Sequence, residues 1–262
     1  MPVINLDKGV PRVELVQPNP YGYVFVLAEV DPASVTTDVD RVGDIPLRAD
    51  IPSTSAKRAA LYQSLKAVRG RLAGLDQVRA VSVFEAALFQ PERPDKPAPS
   101  GSGGRPARYD SVMLIETESP AEAESLLSDP VFGEVRATVE RGSTYTNVLP
   151  VRNVKKVDDV DRAKDGVFLF NFFFAADKDD LLDIWDYTAG WWLAEGNMLN
   201  SELMMPLGKS DYAIINNARW DDWDDAHPAV HAFRKTSYRE FVMANLDASG
   251  ATAMPTLYRL VA

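Results

Sequence analysis

The 262-residue chain has no cysteine and only two histidines. Without thiols there is no disulfide, no thiolate metal site and no cysteine nucleophile. Basic residues are also scarce, because 28 lysines and arginines face 38 aspartates and glutamates, and the formal net charge is −10. Phosphate backbones and anionic membrane surfaces attract basic faces. We therefore expect neither a nucleic-acid partner nor a membrane partner.

Long hydrophobic runs are missing as well. The longest strongly apolar stretch, Val167–Ala176, is too short to cross a bilayer. The N-terminal segment MPVINLDKGV has neither a basic region nor an apolar run, so it does not read as a signal peptide. These features predict a cytoplasmic protein. Its 46% apolar residues suffice for the cores of two domains of ordinary size.

What the chain does contain is an internal repeat. Gly22-Tyr-Val-Phe-Val-Leu corresponds to Gly166-Val-Phe-Leu-Phe-Asn, and Asp129-Pro130 corresponds to His227-Pro228. Each half predicts the order strand, helix, strand, strand, helix, strand. That order is typical of the ferredoxin-like unit, in which both helices cover one face of a four-stranded antiparallel sheet. The predicted fold class is α+β, with two tandem ferredoxin-like (βαββαβ) domains.

The predicted domains are residues 1–155 and residues 156–262. The first is longer because it carries two insertions, 31–55 and 91–108. The first insertion is rich in Asp, Pro, Thr and Val, and the second in Pro, Gly and Ser, which favours loops. We interpret both as solvated surface loops, and the alternative is a lid over the edge of a cavity.

The strand predicted at Val167–Phe174 is apolar on both of its faces. Phe168, Phe170, Phe172 and Phe174 alternate with residues that are mostly apolar too, so neither face is a water-facing row. Helices cover only one face of a ferredoxin-like sheet. We therefore expect the two domains to pack sheet to sheet and to close a barrel-like core between them.

With this element order and with the Asp/His-Pro motif before the last helix of each half, residues 20–262 resemble the dimeric alpha+beta barrel superfamily. The resemblance is to members in which one chain carries both halves. That superfamily includes cofactor-free monooxygenases, haem-degrading monooxygenases and haem peroxidases. The resemblance therefore implies a shape more firmly than a chemistry. It places a pocket between a sheet and its helices, or inside the barrel.

Three residues of the second domain are predicted to be catalytic: Asn171, Trp223 and His231. Asn171 interrupts an apolar stripe, and a buried amide without partners costs about 1–3 kcal/mol. His231 titrates near neutral pH, and its counterpart in the first half is Gly133. Haem-degrading members of the superfamily are similar in carrying an Asn, a Trp and a His at such places. The structural alternatives are an Asn bonded to a neighbouring strand and a partly exposed structural histidine.

The two histidines, His227 and His231, stand four residues apart, which puts both imidazoles on one side of a helix. His227 nevertheless precedes Pro228 and corresponds to Asp129, and this parallel favours a capping role. No metal site is predicted.

Four aromatic residues lie close together in the predicted helix 179–195. Trp185 and Trp192 fall on its apolar stripe and are predicted to be core residues. Tyr187 and Trp191 fall on the other side, where an exposed pair indicates an interface or the rim of a pocket.

Three hypotheses follow. The first is a small-molecule enzyme, a cofactor-free or haem-dependent monooxygenase with its site in the second domain. The second is a non-catalytic binder, in which the barrel cavity or the 31–55 insertion receives a hydrophobic ligand. The third is an assembly protein with Tyr187 and Trp191 in a subunit interface, which leaves a homo-oligomer open. A small-molecule ligand is expected and no cofactor, with haem as the alternative; no substrate is predicted.

Overall fold

The computed structural model describes residues 3–6, 9–32, 35–42, 45–52, 54–89 and 105–262. The ten strands of these residues are β1 Gly22–Glu29, β2 Val35–Val42, β3 Ile45–Pro52, β4 Val78–Phe89, β5 Ser111–Thr117, β6 Tyr145–Asp158, β7 Val167–Phe174, β8 Ser201–Pro206, β9 Ile214–Trp220 and β10 Thr252–Leu260. The α-helices are α1 Ala56–Leu72, α2 Pro120–Leu126, α3 Pro130–Gly142, α4 Lys178–Gly196, α5 Trp223–Ala232 and α6 Ala244–Ala248, and Tyr238–Met243 is a π-helix.

Eight of the strands form one closed antiparallel barrel. The sheet runs β6-β1-β5-β4 in the first half of the chain and β10-β7-β9-β8 in the second. The two groups join at both of their edges, because β6 pairs with β8 and β10 pairs with β4. Such closure leaves these eight strands without a free edge. The predicted α+β class and the barrel are therefore confirmed, with edge-to-edge hydrogen bonds between the two groups.

The strand β6 belongs to both groups. Its residues 145–152 pair with β1, and its residues 151–158 pair with β8. The predicted division after residue 155 thus falls inside one continuous strand.

The interior of the barrel is filled by aromatic side chains. Phe168, Phe170, Phe172 and Phe174 all belong to a buried cluster that draws residues from every strand of the barrel. Neighbouring rings of this cluster, such as those of Phe84 and Phe170, have centroids 4.8–5.6 Å apart. The inside of an eight-stranded barrel is just wide enough for side chains to fill. A ligand site is therefore to be sought outside the barrel, in the layers between the strands and the helices.

Two helical layers cover the outer face of the barrel. The helices α1, α2 and α3 pack on the first half over a mostly aliphatic core. The second half is covered by α4, α5, α6 and the π-helix over a core that is richer in aromatic residues. The helix α4 begins where the Asp177 carboxylate accepts the N–H groups of Asp179 and Asp180. Among the described residues, none of the helices combines the length and the apolar character that a membrane span requires.

The 31–55 insertion differs from the predicted loop, because it contains the antiparallel hairpin β2–β3. The hairpin continues the sheet through the pairing of Asp50 with Phe89 on β4. Its Asp and Pro content suggested a loop, but β-branched residues such as Val35, Thr36 and Thr37 favour a strand. Residues 91–104 of the second insertion lie outside the described residues.

Trp191 is not exposed as predicted, since only 1% of its surface is accessible. Its ring packs against those of Trp192 and Tyr238, and a segment from the start of the chain covers another part of the helix. Residues 9–16 cross the outer side of α4, where the backbone N–H of Val13 donates to the carbonyl of Asp186 at 3.0 Å. The guanidinium of Arg12 pairs with the buried carboxylate of Asp186. The helix is thus covered on both sides. Trp191 is therefore not available for the subunit interface that the third hypothesis assigned to it.

Gly190 permits this crossing, and its replacement is a test of it. A methyl group at Gly190 would overlap the carbonyl oxygen of Pro11. We expect Gly190→Ala to displace residues 9–16, to lower the melting temperature and to speed hydrogen exchange at Val13. The control is Gly70→Ala in α1, where a methyl group meets nothing; it should be neutral or stabilising by up to about 1 kcal/mol. Unchanged exchange at Val13 in Gly190→Ala would contradict the assigned contact.

Candidate functional site

The two helical layers differ in their buried polar atoms. In the second-half layer, three side chains have buried polar atoms without a hydrogen-bond partner among the described residues: Asn171, Trp191 and Arg234. In the first-half layer the Nε of Arg58 is also buried without a hydrogen-bond partner among the described residues, but the Nη2 of the same guanidinium pairs with the Asp110 carboxylate at 2.6 Å. Buried polar groups are nearly always hydrogen-bonded, and each exception calls for an explanation such as a ligand. The second-half layer is therefore the candidate site.

Asn171 lies in the middle of β7, between Asn216 on β9 and Pro255 on β10. Its side chain alternates with those of the barrel interior and faces the helical layer. The neighbouring Asn216 uses its own amide oxygen to accept the hydroxyl of Ser201 at 2.5 Å. The amide oxygen of Asn171 has no such partner among the described residues. It is therefore an acceptor in the candidate site that is left for a donor on a ligand.

Trp191 belongs to an aromatic wall in the same layer. Its ring packs against Trp192 and against Tyr238, the first residue of the π-helix, with centroids 5.1 and 5.6 Å away. Phe233 completes the wall, 5.0 Å from Tyr238. A buried indole N–H usually finds an acceptor, but that of Trp191 has none among the described residues. Because π-helical turns occur frequently at functional sites, the wall is suited to hold an aromatic ligand.

Arg234 follows α5 directly, and its backbone N–H donates to the carbonyl of His231 at 3.1 Å. All three nitrogens of its guanidinium are buried and lack a hydrogen-bond partner among the described residues. The sequence offered one signal that was not used: Arg234 corresponds in the repeat to Arg136. Trp191 was predicted at an interface or at the rim of a pocket, but not inside the layer, where its ring packs against Tyr238.

Trp223 and His231, the other two predicted site residues, lie nearer the surface. Trp223 is the first residue of α5 and is 37% exposed, and the guanidinium of Arg259 lies 5.7 Å from its ring centroid. The ring centroid of His231 lies 3.9 Å from that of the exposed His227, with the two planes tilted by 53°. The buried residues of α5 recur every third position, at Ala226, Ala229 and Ala232, so the histidines occupy a different side of the helix. The ring of Trp223 thus contacts Arg259, and the ring of His231 contacts His227. Neither of these contacts involves Asn171.

No protein-family model matches the sequence, and no curated protein matches it. Solved structures do. An anthrone oxidase-like protein is 11% identical over 95% of each chain, with a TM-score of 0.63. A protein of Fusobacterium nucleatum subsp. nucleatum, provisionally named a monooxygenase, is 9% identical over 93% of this chain and 94% of the other, with a TM-score of 0.52. The chain has the dimeric alpha+beta barrel fold. Identities this low show the fold alone, and they confirm the resemblance predicted from the element order.

Among the described residues there is no group of three or more His, Asp or Glu side chains that could hold a metal ion. An axial haem ligand needs an imidazole that faces an apolar layer. His231 lies instead against the exposed His227, on another side of α5 than its buried alanines. Its placement does not fit haem ligation.

Tyrosines inside the barrel are also candidates for proton transfer, since the hydroxyls of Tyr109 and Tyr212 are hydrogen-bonded to each other. The hydroxyl of Tyr258 donates to the carbonyl of Tyr109 at 2.9 Å. Burial raises the pKa of Tyr109 to about 12, and it raises the pKa of Tyr212 further. All three phenols therefore stay neutral at physiological pH, and their role is structural.

Proposed function

We propose that this protein is an oxygenase that acts without a cofactor on an electron-rich aromatic small molecule. The substrate would lie between the barrel and the helices of the second half. The observation that carries the proposal is an unpaired acceptor, the amide oxygen of Asn171, and an unpaired donor, the indole N–H of Trp191, in one layer with a wall of aromatic rings. A phenol or an anthrone enol needs this combination, since its hydroxyl both donates and accepts.

The proposed chemistry requires the protein to orient the substrate and to stabilise its anion. The amide oxygen of Asn171 accepts the substrate hydroxyl, and the indole N–H of Trp191 donates to a substrate oxygen, where negative charge develops on deprotonation. An electron-rich aromatic anion reduces dioxygen itself. For an anthrone, one oxygen atom replaces the two hydrogens of the ring CH2 group to give a quinone, and the other leaves as water. No cofactor is needed for this electron balance.

Two further points support the proposal. The anthrone oxidase-like protein with the same fold is named for substrates of this class, and its TM-score of 0.63 is well above that of an incidental likeness. The haem-dependent version lacks a fitting ligand at His231. The catalytic roles predicted for His231 and Trp223 stay predictions, to be tested beside Asn171.

Among the described residues, most buried polar atoms without a hydrogen-bond partner lie in the second half of the chain. This distribution also fits a duplicated chain. We propose that residues 1–155 and residues 156–262 are tandem ferredoxin-like units. In support, both groups have the order last, first, third and second strand. After duplication, one copy could keep a site while the other was optimised for packing.

The test of the oxygenase proposal is oxygen consumption with a panel of hydroxyanthrones, naphthols and quinols. We expect turnover by the wild type, and a loss of about 10–100-fold in kcat/KM for Asn171→Ala and for Trp191→Phe, as removal of one hydrogen bond to a developing charge implies. The matched control is Trp185→Phe, a buried tryptophan of the same helix and layer. It should alter stability but not kcat/KM.

Other outcomes would count against parts of the proposal. No oxygen uptake with any member of the panel, by a protein with an intact fold, would remove the oxygenase function. A loss of activity in His231→Ala but not in Asn171→Ala would move the site to the outer side of α5. A haem absorption band that shifts in His231→Ala would contradict the cofactor-free chemistry.

A further inference from the structure

The guanidinium of Arg234 is a buried cation without a counter-charge in the described structure. Its Nε and both Nη atoms are inaccessible to solvent and make no hydrogen bond to the described residues. A guanidinium carries five N–H donors, and it cannot lose its charge in a protein. A buried charge that lacks a partner strongly destabilises a fold. Such a group persists where a bound ligand supplies the missing acceptors.

The corresponding arginine of the first half has an ordinary surface environment. Arg136 lies in α3, and its Nε donates to the carboxylate of Glu140 at 2.7 Å, one turn further along the helix. The residue four positions after Arg234 is Tyr238, whose ring packs against Trp191. The second half has therefore replaced the acidic partner by an aromatic residue of the proposed site, and it has buried the arginine.

The neighbouring lysine, in contrast, has an acidic partner. The carboxylate of Glu195, at the end of α4, binds the ammonium of Lys235, the residue after Arg234, at 2.5 Å. Arg234 itself follows Phe233, which is part of the aromatic wall. Arg234 thus belongs to the same short segment as two residues of the aromatic wall, Phe233 and Tyr238.

We infer that Arg234 binds a carboxylate of the substrate, so that the substrate class is aromatic carboxylic acids. A planar carboxylate accepts two parallel N–H hydrogen bonds from a guanidinium, one from Nε and one from an Nη atom. A single phenolate oxygen would leave most of the five N–H donors unused. The net charge of −10 repels anions from the protein as a whole, so an anionic substrate needs a local cation. The inference rests on the proposed function, because it takes the ligand's ring to lie against the aromatic wall.

The experiment compares two probes that differ in one group, 2-naphthoate and 2-naphthalenemethanol, by isothermal titration calorimetry at neutral pH. We expect the wild type to bind 2-naphthoate at least about 30-fold more tightly, the lower limit for a buried charge pair. Arg234→Met should abolish this preference and leave the affinity for the alcohol unchanged. Arg234→Lys should retain part of it. The control Arg136→Met, which removes the surface arginine of the first half, should bind both probes as the wild type does.

The outcomes separate this inference from the proposed function. If the wild type binds both probes equally, the carboxylate assignment is wrong and the aromatic site stands. If it binds neither, the aromatic site is wrong, and the proposed function falls with it. A preference for 2-naphthoate that survives in Arg234→Met also overturns the assignment. A second readout is the melting temperature without ligand. Arg234→Met should raise it, because the variant removes an uncompensated buried charge. A lower melting temperature would show that the guanidinium has a structural partner.

Discussion

Between about pH 10 and pH 12 the protein is expected to lose its fold in a steep transition. Desolvation raises the pKa of five buried tyrosines, to about 12 for Tyr109 and by at least as much for Tyr23, Tyr62, Tyr212 and Tyr258. In the unfolded chain these phenols ionise near their ordinary pKa of about 10. Above that pH the unfolded state binds fewer protons than the folded state, so the free energy of unfolding falls as the pH rises.

The size of the effect follows from the number of phenols. Each one that is neutral when folded and ionised when unfolded lowers the free energy of unfolding by roughly 1.4 kcal/mol per pH unit. Five together exhaust a typical stability of about 5–15 kcal/mol within one to two pH units. Their contribution is fully present below pH 10 and declines as the pH approaches the folded pKa values.

The measurement is a pH titration followed by far-ultraviolet circular dichroism and by tyrosinate absorbance. The two signals should change together, since the phenols ionise only when the fold opens. Tyr212→Phe should make the transition less steep, whereas the partly buried Tyr187 serves as the control in Tyr187→Phe. Ionisation of all tyrosines near pH 10 with unchanged circular dichroism would refute the assigned burial.

The second large effect is expected at the ion pair that fastens the connection between the two halves. Arg162 lies in the segment from β6 to β7, and its guanidinium binds the buried carboxylate of Glu202 on β8. The same carboxylate accepts the backbone N–H of Val160 and the side-chain amide of Asn19, each at 3.2 Å. The Nε of Arg162 donates to the amide oxygen of Asn217 at 2.9 Å. The network thus holds the connecting segment against the end of the barrel.

Replacing Glu202 by Met removes the nearest counter-charge of the buried Arg162 guanidinium, which keeps only the more distant Glu116 carboxylate at 3.9 Å and the amide oxygen of Asn217. Breaking a buried pair in this way costs about 3–5 kcal/mol. For a chain of this size we expect a fall in melting temperature of roughly 6–20 °C, at about 2–4 °C per kcal/mol.

The double variant Arg162→Met/Glu202→Met should recover most of this loss, because an apolar pair of similar volume replaces an ion pair at little cost. The control is Glu134→Met, since the pair of Glu134 with Arg71 is exposed on both sides and should be worth at most about 1 kcal/mol. Melting curves of the wild type, of the single variants Arg162→Met and Glu202→Met and of the double variant form a double-mutant cycle. If the double variant were no more stable than Glu202→Met, the loss would not arise from an unpaired charge.

Much of the fold could be predicted from short stretches of the chain. Alternating apolar residues predicted strands such as Val167–Phe174, and the order of elements within each half predicted the barrel. These features depend on residues close together in the sequence. The hairpin β2–β3 was missed because composition outweighed its β-branched residues.

The candidate site was predicted only in part, through Asn171. An amide in an apolar strand is visible in the sequence, because alternation shows which face it occupies. Trp191 and Arg234 carry no such signal. The ring of Trp191 packs against Tyr238 of the π-helix, which lies 47 positions further along the chain. The isolation of Arg234 appears only when it is compared with the surface pair of Arg136 and Glu140.

Periodicity, composition and the repeat were thus sufficient to specify the class of fold and the acidic character of the protein, and they predicted a site in the second half. Three-dimensional packing was needed to show that the barrel interior is filled, that a tryptophan is covered and that a guanidinium is left without a counter-charge. The physical reason is that hydrophobic patterns act between near neighbours in the chain. Whether a buried polar group finds a partner depends instead on residues that meet only after folding.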